Sequence, residues 1–154
     1  MAGVNSASGI GTARRRDVAR HGVSRLIGIV IVAHGGLAGE YLSAVEHVVG
    51  KQTGMLAVPI EPDHNRDRKQ AEICAAADSV DTGDGVVVVT DMFGGSPSNL
   101  SLRACNPDDR MILYGANLPM LIKLTKLRHK PIGVAVEAAL KAGRKYIDSF
   151  DGGA

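Results

Sequence analysis

Apolar and polar positions along the chain fall into blocks that predict strands and helices in alternation. Residues 26–36 read Leu-Ile-Gly-Ile-Val-Ile-Val-Ala-His-Gly-Gly, a β-branched run too short for a helix, and this predicts a strand buried on both faces. Tyr41, Leu42, Val45, Val48 and Val49 then recur at helical spacing, with Glu40, Glu46 and Lys51 off that stripe and Gly50 placed to end the helix. Residues 54–60 predict a second strand, at an edge because Pro59 cannot donate to a ladder. Residues 62–65 turn the chain into a polar-faced helix over about 66–79. Four consecutive valines within residues 85–90 predict a second central strand, which ends in Asp91. Ser96 reads as an N-cap and Pro97 as the first helical residue of a segment running through Asn99, Leu100 and Leu102 to about Cys105. Residues 106–109 form a turn and 110–114 a fourth strand. Asn117 caps a helix over 118–129 with Met120, Leu121, Leu124 and Leu127 inward, and Pro131 starts another whose end carries Lys141, Arg144 and Lys145. Residues 146–150 show a brief strand-like alternation.

Strands alternating with helices predict an α/β fold: an open, mainly parallel sheet with right-handed crossovers and helices on both faces. The 154 residues, 45% of them hydrophobic, suit one core and not two. The net charge of +2 is small, and much of the basic excess lies in Arg14, Arg15, Arg16, Arg20 and Arg25. Aromatics make up 3% of the chain and do not interleave with the basic residues, so nucleic-acid binding is disfavoured. Residues 1–24 are rich in Gly, Ser, Ala and Arg without an apolar period, and read as a flexible, solvated tail rather than a presequence or RNA-contacting arm. Cys74 and Cys105 are too few and too far apart for a disulfide framework, which predicts buried thiols in a reducing cytosol. No apolar run reaches the roughly 18 residues of a membrane span, and the first 25 residues lack a secretory core, so a cytoplasmic protein without membrane insertion is expected.

The chemistry-bearing residues gather at the strand ends. If the first and third strands are neighbours, their carboxyl ends open a crevice in which His34 and Asp91 face each other. A carboxylate on one imidazole nitrogen fixes the tautomer and leaves the other nitrogen as a nucleophile. After Asp91, Gly94 and Gly95 permit close backbone approach to a phosphate, and Ser96 adds a hydroxyl and free helix N–H groups; Gly35 and Gly36 offer the same below the next helix. A strand-end histidine alone is ordinarily structural, and Ser-Pro after glycines is ordinarily a turn and cap; their convergence on the two most apolar strands favours function. His21 lies in the tail, His47 and His129 on helices and His64 in a turn, with no i, i+4 pair for a metal. No cofactor is called for.

Three segments taken together, Ile-Val-Ile-Val-Ala-His-Gly, Val-Val-Val-Val-Thr-Asp-Met-Phe-Gly-Gly-Ser-Pro-Ser-Asn and Gly-Ala-Asn-Leu-Pro-Met-Leu, resemble the IIA domain of the mannose-type sugar phosphotransferase system. They occur in family order and cover about residues 25–150. The resemblance implies a sheet ordered 2-1-3-4 and a phosphoryl group carried on His34, taken from the phosphocarrier HPr and passed to a IIB protein. It further implies that Asp91 orients the imidazole and that Ser96 with the Gly94 and Gly95 backbone holds phosphate oxygens. A homodimer is implied too, in which the terminal strand near residues 146–150 joins the partner's sheet as a swapped antiparallel edge. Met92 and Phe93 stand where the family often has Thr-Trp, and the tail is additional. No IIB-like stretch follows, so the acceptor is expected to be a separate IIB protein, or phosphorylated His34 is itself a regulatory signal.

Three rival functions share these residues. The phosphotransfer subunit of a dihydroxyacetone kinase has the same fold and strand-end histidine, but Gly-Gly-Ser-Pro favours the mannose type. A Ser96-His34-Asp91 hydrolase would lack a Gly-x-Ser-x-Gly elbow, and Pro97 removes the amide such an elbow uses. A flavodoxin-like module would lack an aromatic pair to sandwich a flavin.

Overall fold

The computed structural model describes residues 24–105 and 108–153. The tail expected over 1–24 lies outside them apart from Ser24, as do Asn106 and Pro107 of the expected turn and the Cys105 side chain.

Four parallel strands stand in the order β2-β1-β3-β4: β1 (Gly28–His34), β2 (Met55–Ile60), β3 (Val86–Thr90) and β4 (Arg110–Leu113). Five helices connect or follow them: α1 (Leu37–Val49), α2 (Arg66–Val80), α3 (Ser96–Ser101), α4 (Leu118–Lys126) and α5 (Ile132–Lys145). A 3-10 turn over Leu102–Cys105 prolongs α3.

Continuous valine and isoleucine runs suit β1 and β3 because both of their faces are covered. Ile29, Ile31 and Ala33 of β1 and Val87 and Val89 of β3 pack with Ala38 and Val45 of α1, Leu121 and Leu124 of α4 and Ala135 and Ala139 of α5. The intervening Val30, Val32, Val86 and Val88 pack with Ile73 and Ala77 of α2 and Leu100 of α3. Each of the valine, isoleucine and leucine side chains contributes about 1.5–3 kcal/mol by leaving water. A polar residue fits neither layer, and the first polar side chains along both strands come at their carboxyl ends. Pro59 sits on β2 at the sheet edge, where its missing N–H leaves no ladder bond unmade.

Several boundaries differ from those the sequence predicts. Val48 is exposed, because α1 covers the sheet with Ala38 and Val45 and turns Val48 outward. Helix α4 stops at Lys126, three residues before His129, which lies in the following turn. Leu127 N–H reaches the carbonyls of both Lys123 and Leu124, tightening the end of the helix. The Arg128 side chain then folds inward to the carbonyls of Ile27, Thr53 and Gly54. Pro131 is the N-cap of α5 rather than its first residue. Cys74 is half-buried against the second core. Residues 147–150 form no strand within the chain and lie exposed.

Candidate functional site

The sheet order brings two distant residues to one rim. Strands β1 and β3 pair in parallel with Val32 level with Thr90, so the residues that follow, His34 and Asp91, emerge together at the carboxyl edge. His34 Nδ1 lies 2.8 Å from Asp91 Oδ2. The same oxygen accepts the His34 backbone N–H at 2.9 Å, and Asp91 Oδ1 accepts Met92 N–H at 2.9 Å. The imidazole is 48% exposed and the carboxylate 12%, so the ring is open to a partner while its acidic companion is shielded.

Burial by itself pushes the Asp91 carboxyl up. The hydrogen bonds from the His34 backbone and ring, the His34 charge and the Met92 N–H outweigh it and hold the carboxyl below the ordinary carboxylate range. An ionised carboxylate only accepts, so Nδ1 must donate to it. In the neutral ring Nε2 then holds the free lone pair.

The loop after Asp91 presses directly on that ring. A side chain at Gly95 would put its Cβ 3.0 Å from His34 Cε1 and 3.5 Å from Nε2, so only glycine lets the backbone come this close. Gly94 takes φ +81°, a left-handed conformation that glycine adopts without strain. Capping of α3 differs from the sequence expectation. Gly95, not Ser96, is the N-cap and has no side chain to cap the helix, while Ser96 and Pro97 open it. The hydroxyl that serves this turn comes from inside the helix: buried Ser98 Oγ accepts Gly94 N–H at 3.0 Å and donates to the Gly95 carbonyl at 3.0 Å. Ser96 is exposed and therefore free of a capping duty.

Two of the expected phosphate-binding glycines have their amides taken. Gly35 N–H donates to the Ile60 carbonyl at 2.9 Å, and Gly94 N–H to Ser98. Gly36 is the N-cap of α1 without a side-chain cap, so the first-turn amides of that helix stay available at the same rim.

Apolar side chains frame the histidine. Met92 and Phe93 are exposed, Phe93 at 76%, and Leu37 flanks the other side. Phe93 meets Tyr114 edge-on with ring centroids 5.0 Å apart. Behind Asp91, Tyr41 donates to the Ala116 carbonyl at 2.8 Å, and Ala116 N–H donates to the Thr90 carbonyl at 3.0 Å. Burial first and the Asp91 charge second push the Tyr41 phenol up, so it stays a neutral donor. Sequence reasoning assigned Tyr41 to the apolar stripe of α1 and gave Ser98 no part. Its Oγ bonds are set by a backbone turn that no side-chain pattern marks. His64 sits at the end of the neighbouring β2 with its ring against the Glu61 carbonyl, apart from the His34 couple. Among the described residues, no hydrogen bond links Ser96 Oγ to His34, as a hydrolase triad requires. Among the same residues no cluster of three His, Cys, Asp or Glu gathers to hold a metal, and no helix is long and apolar enough to cross a membrane.

The sequence and the fold match a known family. A family model described as "PTS system fructose IIA component" matches residues 28–140. The mannose-specific EIIAB component of the phosphotransferase system of Escherichia coli K12 is 30% identical over 127 residues, which are 80% of this chain and 39% of that protein. The chain thus spans well under half the length of that relative. The fructose-specific EIIA component of Bacillus subtilis is 26% identical over 104 residues, 67% of this chain and 71% of that one. Among solved structures, a PTS IIA protein associated with the fucose utilization operon of Streptococcus pneumoniae superposes with a TM-score of 0.73 at 29% identity, covering 81% of this chain and 94% of that one. The chain belongs to the fructose- and mannose-type IIA components of the sugar phosphotransferase system.

Proposed function

We propose that the chain is a phosphoryl carrier in which His34 Nε2 accepts a phosphoryl group from HPr and hands it to a IIB protein. The observation that supports this most is the half-exposed imidazole whose Nδ1 is held 2.8 Å from an ionised, shielded carboxylate. In the forward step the Nε2 lone pair attacks phosphorus. A new N–P bond forms as the donor's N–P bond breaks, and the electron pair of that bond returns to the donor nitrogen. The His34 ring, protonated on Nδ1 and phosphorylated on Nε2, is then cationic, and Asp91 balances that charge. The reverse exchange passes the group to the acceptor.

Such transfers depend on positioning and on donors aimed at the equatorial oxygens. In this proposal the Gly95 and Ser96 amides and the Ser96 hydroxyl receive those oxygens, with the first-turn amides of α1 beneath. Gly35 (φ +53°) and Gly94 contribute through their left-handed backbone, which sets the two loops on either side of the ring. Met92, Phe93 and Leu37 offer apolar surface on which a phosphocarrier docks. We take the carrier unit to be residues 25–150 and its setting to be cytoplasmic, with a IIB acceptor or a regulatory output. A homodimer is part of the same proposal: Tyr146, Ile147 and Phe150 are 66%, 74% and 89% exposed, as suits a strand given to a partner's sheet.

Labelling tests this. Incubated with radiolabelled phosphoenolpyruvate and the general phosphotransferase proteins including HPr, the wild-type chain takes up phosphate and His34→Ala takes up none. Equal labelling of the variant removes His34 from the role.

A further inference from the structure

We infer that Ser98 is a positioning residue for His34, acting through the Gly94-Gly95 turn; this rests on the phosphoryl-carrier reading of His34. Two contacts define the imidazole. Asp91 Oδ2 holds Nδ1 at 2.8 Å, and the Gly95 backbone comes up to the adjacent Cε1–Nε2 edge, where an added Cβ would stand 3.0 Å from Cε1. One hydrogen bond leaves a ring free to swing about its contact. The second contact stops that swing, and it falls beside the nitrogen that must meet phosphorus.

The Gly94-Gly95 turn has no side chains of its own to anchor it. Its main anchor is Ser98, with a longer bond from Asn99 Nδ2 to the Gly94 carbonyl at 3.5 Å beside it. The hydroxyl oxygen accepts Gly94 N–H at 3.0 Å, and its proton goes to the Gly95 carbonyl, also at 3.0 Å. Because the Gly94 N–H already occupies the oxygen as donor, the direction of the second bond is settled: Gly94 N–H to Oγ, then Oγ–H to Gly95 C=O. Ser98 is 3% exposed, while Gly94 is exposed and Gly95 half-buried, so removing the hydroxyl breaks the link that the protein itself supplies between the two glycines. The Gly95 carbonyl also accepts Asn99 N–H at 3.1 Å, which keeps the helix start in place without Ser98. Loss of the hydroxyl therefore loosens Gly94 and the face of Gly95 that meets the ring, while α3 itself persists.

Ser98 touches neither substrate nor the reacting nitrogen, so its effect must pass through the ring and the two loop amides beside it. Misplacement of reacting groups by a fraction of an ångström to one ångström costs about tenfold to a hundredfold in rate. Donor docking uses the exposed rim and is untouched.

The experiment follows phosphoryl transfer from HPr in the intact chain for wild type, Ser98→Ala and Ser98→Thr, together with 15N-resolved NMR of the His34 imidazole in the unphosphorylated state. Ser98→Ala is expected to lower kcat about tenfold with KM for HPr within about twofold, and to speed solvent exchange of the His34 Nδ1 proton. Ser98→Thr, which keeps the hydroxyl, restores both. Gly95→Ala, which drives a Cβ against Cε1, reproduces the kcat loss and the ring signature with Ser98 intact. If Ser98→Ala does not fold, the Gly95→Ala ring spectrum carries the decision. A wild-type ring spectrum in Ser98→Ala, whatever Gly95→Ala shows, overturns the inference. The spectra are read without any transfer, so failure of HPr to label the wild-type protein refutes the carrier function alone, while the ring spectra still judge Ser98.

Discussion

At the scale of the residue, the site depends on a single proton. Asp91 is shielded, accepts three hydrogen bonds and remains ionised, which confines the His34 proton to Nδ1 and frees Nε2. Replacing Asp91 by Asn keeps the size and removes the charge, so neither the tautomer nor the cationic phosphorylated ring is stabilised. Asp91→Asn is expected to slow transfer about a hundredfold with little change in KM for the donor, checked by single-turnover kinetics; wild-type rates in this variant would take Asp91 out of the mechanism. The same bonds set an acid limb. Because the folded pKa lies below the ordinary value of about 4, the contribution of Asp91 to stability is complete above that value and is lost as pH falls through the lower, folded one. The stability gap between wild type and Asp91→Asn in urea denaturation should therefore shrink as pH drops from about 5 toward 2.

At the scale of the element, two polar side chains decide how α4 meets the rest. Asn117 caps α4 by accepting Met120 N–H at 3.0 Å and donates to the Gly143 carbonyl of α5 at 2.9 Å. Its place ahead of an apolar stripe makes the cap legible from sequence, whereas the bond to α5 depends on a helix 26 positions away. Arg128 was not legible. A basic residue in the last turn of the helix predicted over 118–129 reads as a solvated cation, yet this one is buried and donates to Ile27, Thr53 and Gly54 carbonyls, partners up to 101 positions distant. It ties the amino ends of β1 and β2 to the α4-α5 connection. Arg128→Met retains the apolar stem and orphans the Ile27 and Thr53 carbonyls, while Gly54 keeps the Ile29 N–H, at a cost of roughly 3 kcal/mol in urea unfolding. A loss under about 0.5 kcal/mol would mean water replaces the guanidinium. The strands, their order and the His34-Asp91 pairing are legible because continuous β-branched runs and two polar strand ends leave few arrangements. The division of labour between Ser96 and Ser98 is not, because both are small hydroxyl residues at a helix start and only the path of the glycine backbone separates them.

At the scale of the whole molecule, a buried parallel sheet presents its chemistry at one rim and leaves its last segment uncovered. Among the described residues strand β4 is an edge of the sheet, and Tyr146, Ile147 and Phe150 are exposed. Exposed edges and apolar segments of this kind seek strand partners. Sedimentation should find a dimer for the full chain and a monomer after removal of residues 146–154, with the His34 site intact in both; a monomeric full chain at micromolar concentration would contradict the swapped pairing. The carrier function itself is tested most directly by the position of the phosphate. After transfer from HPr, 31P and 15N NMR should place one acid-labile, base-stable phosphoryl group on Nε2 of His34. A group on Nδ1, on another residue or on none would contradict the proposed chemistry.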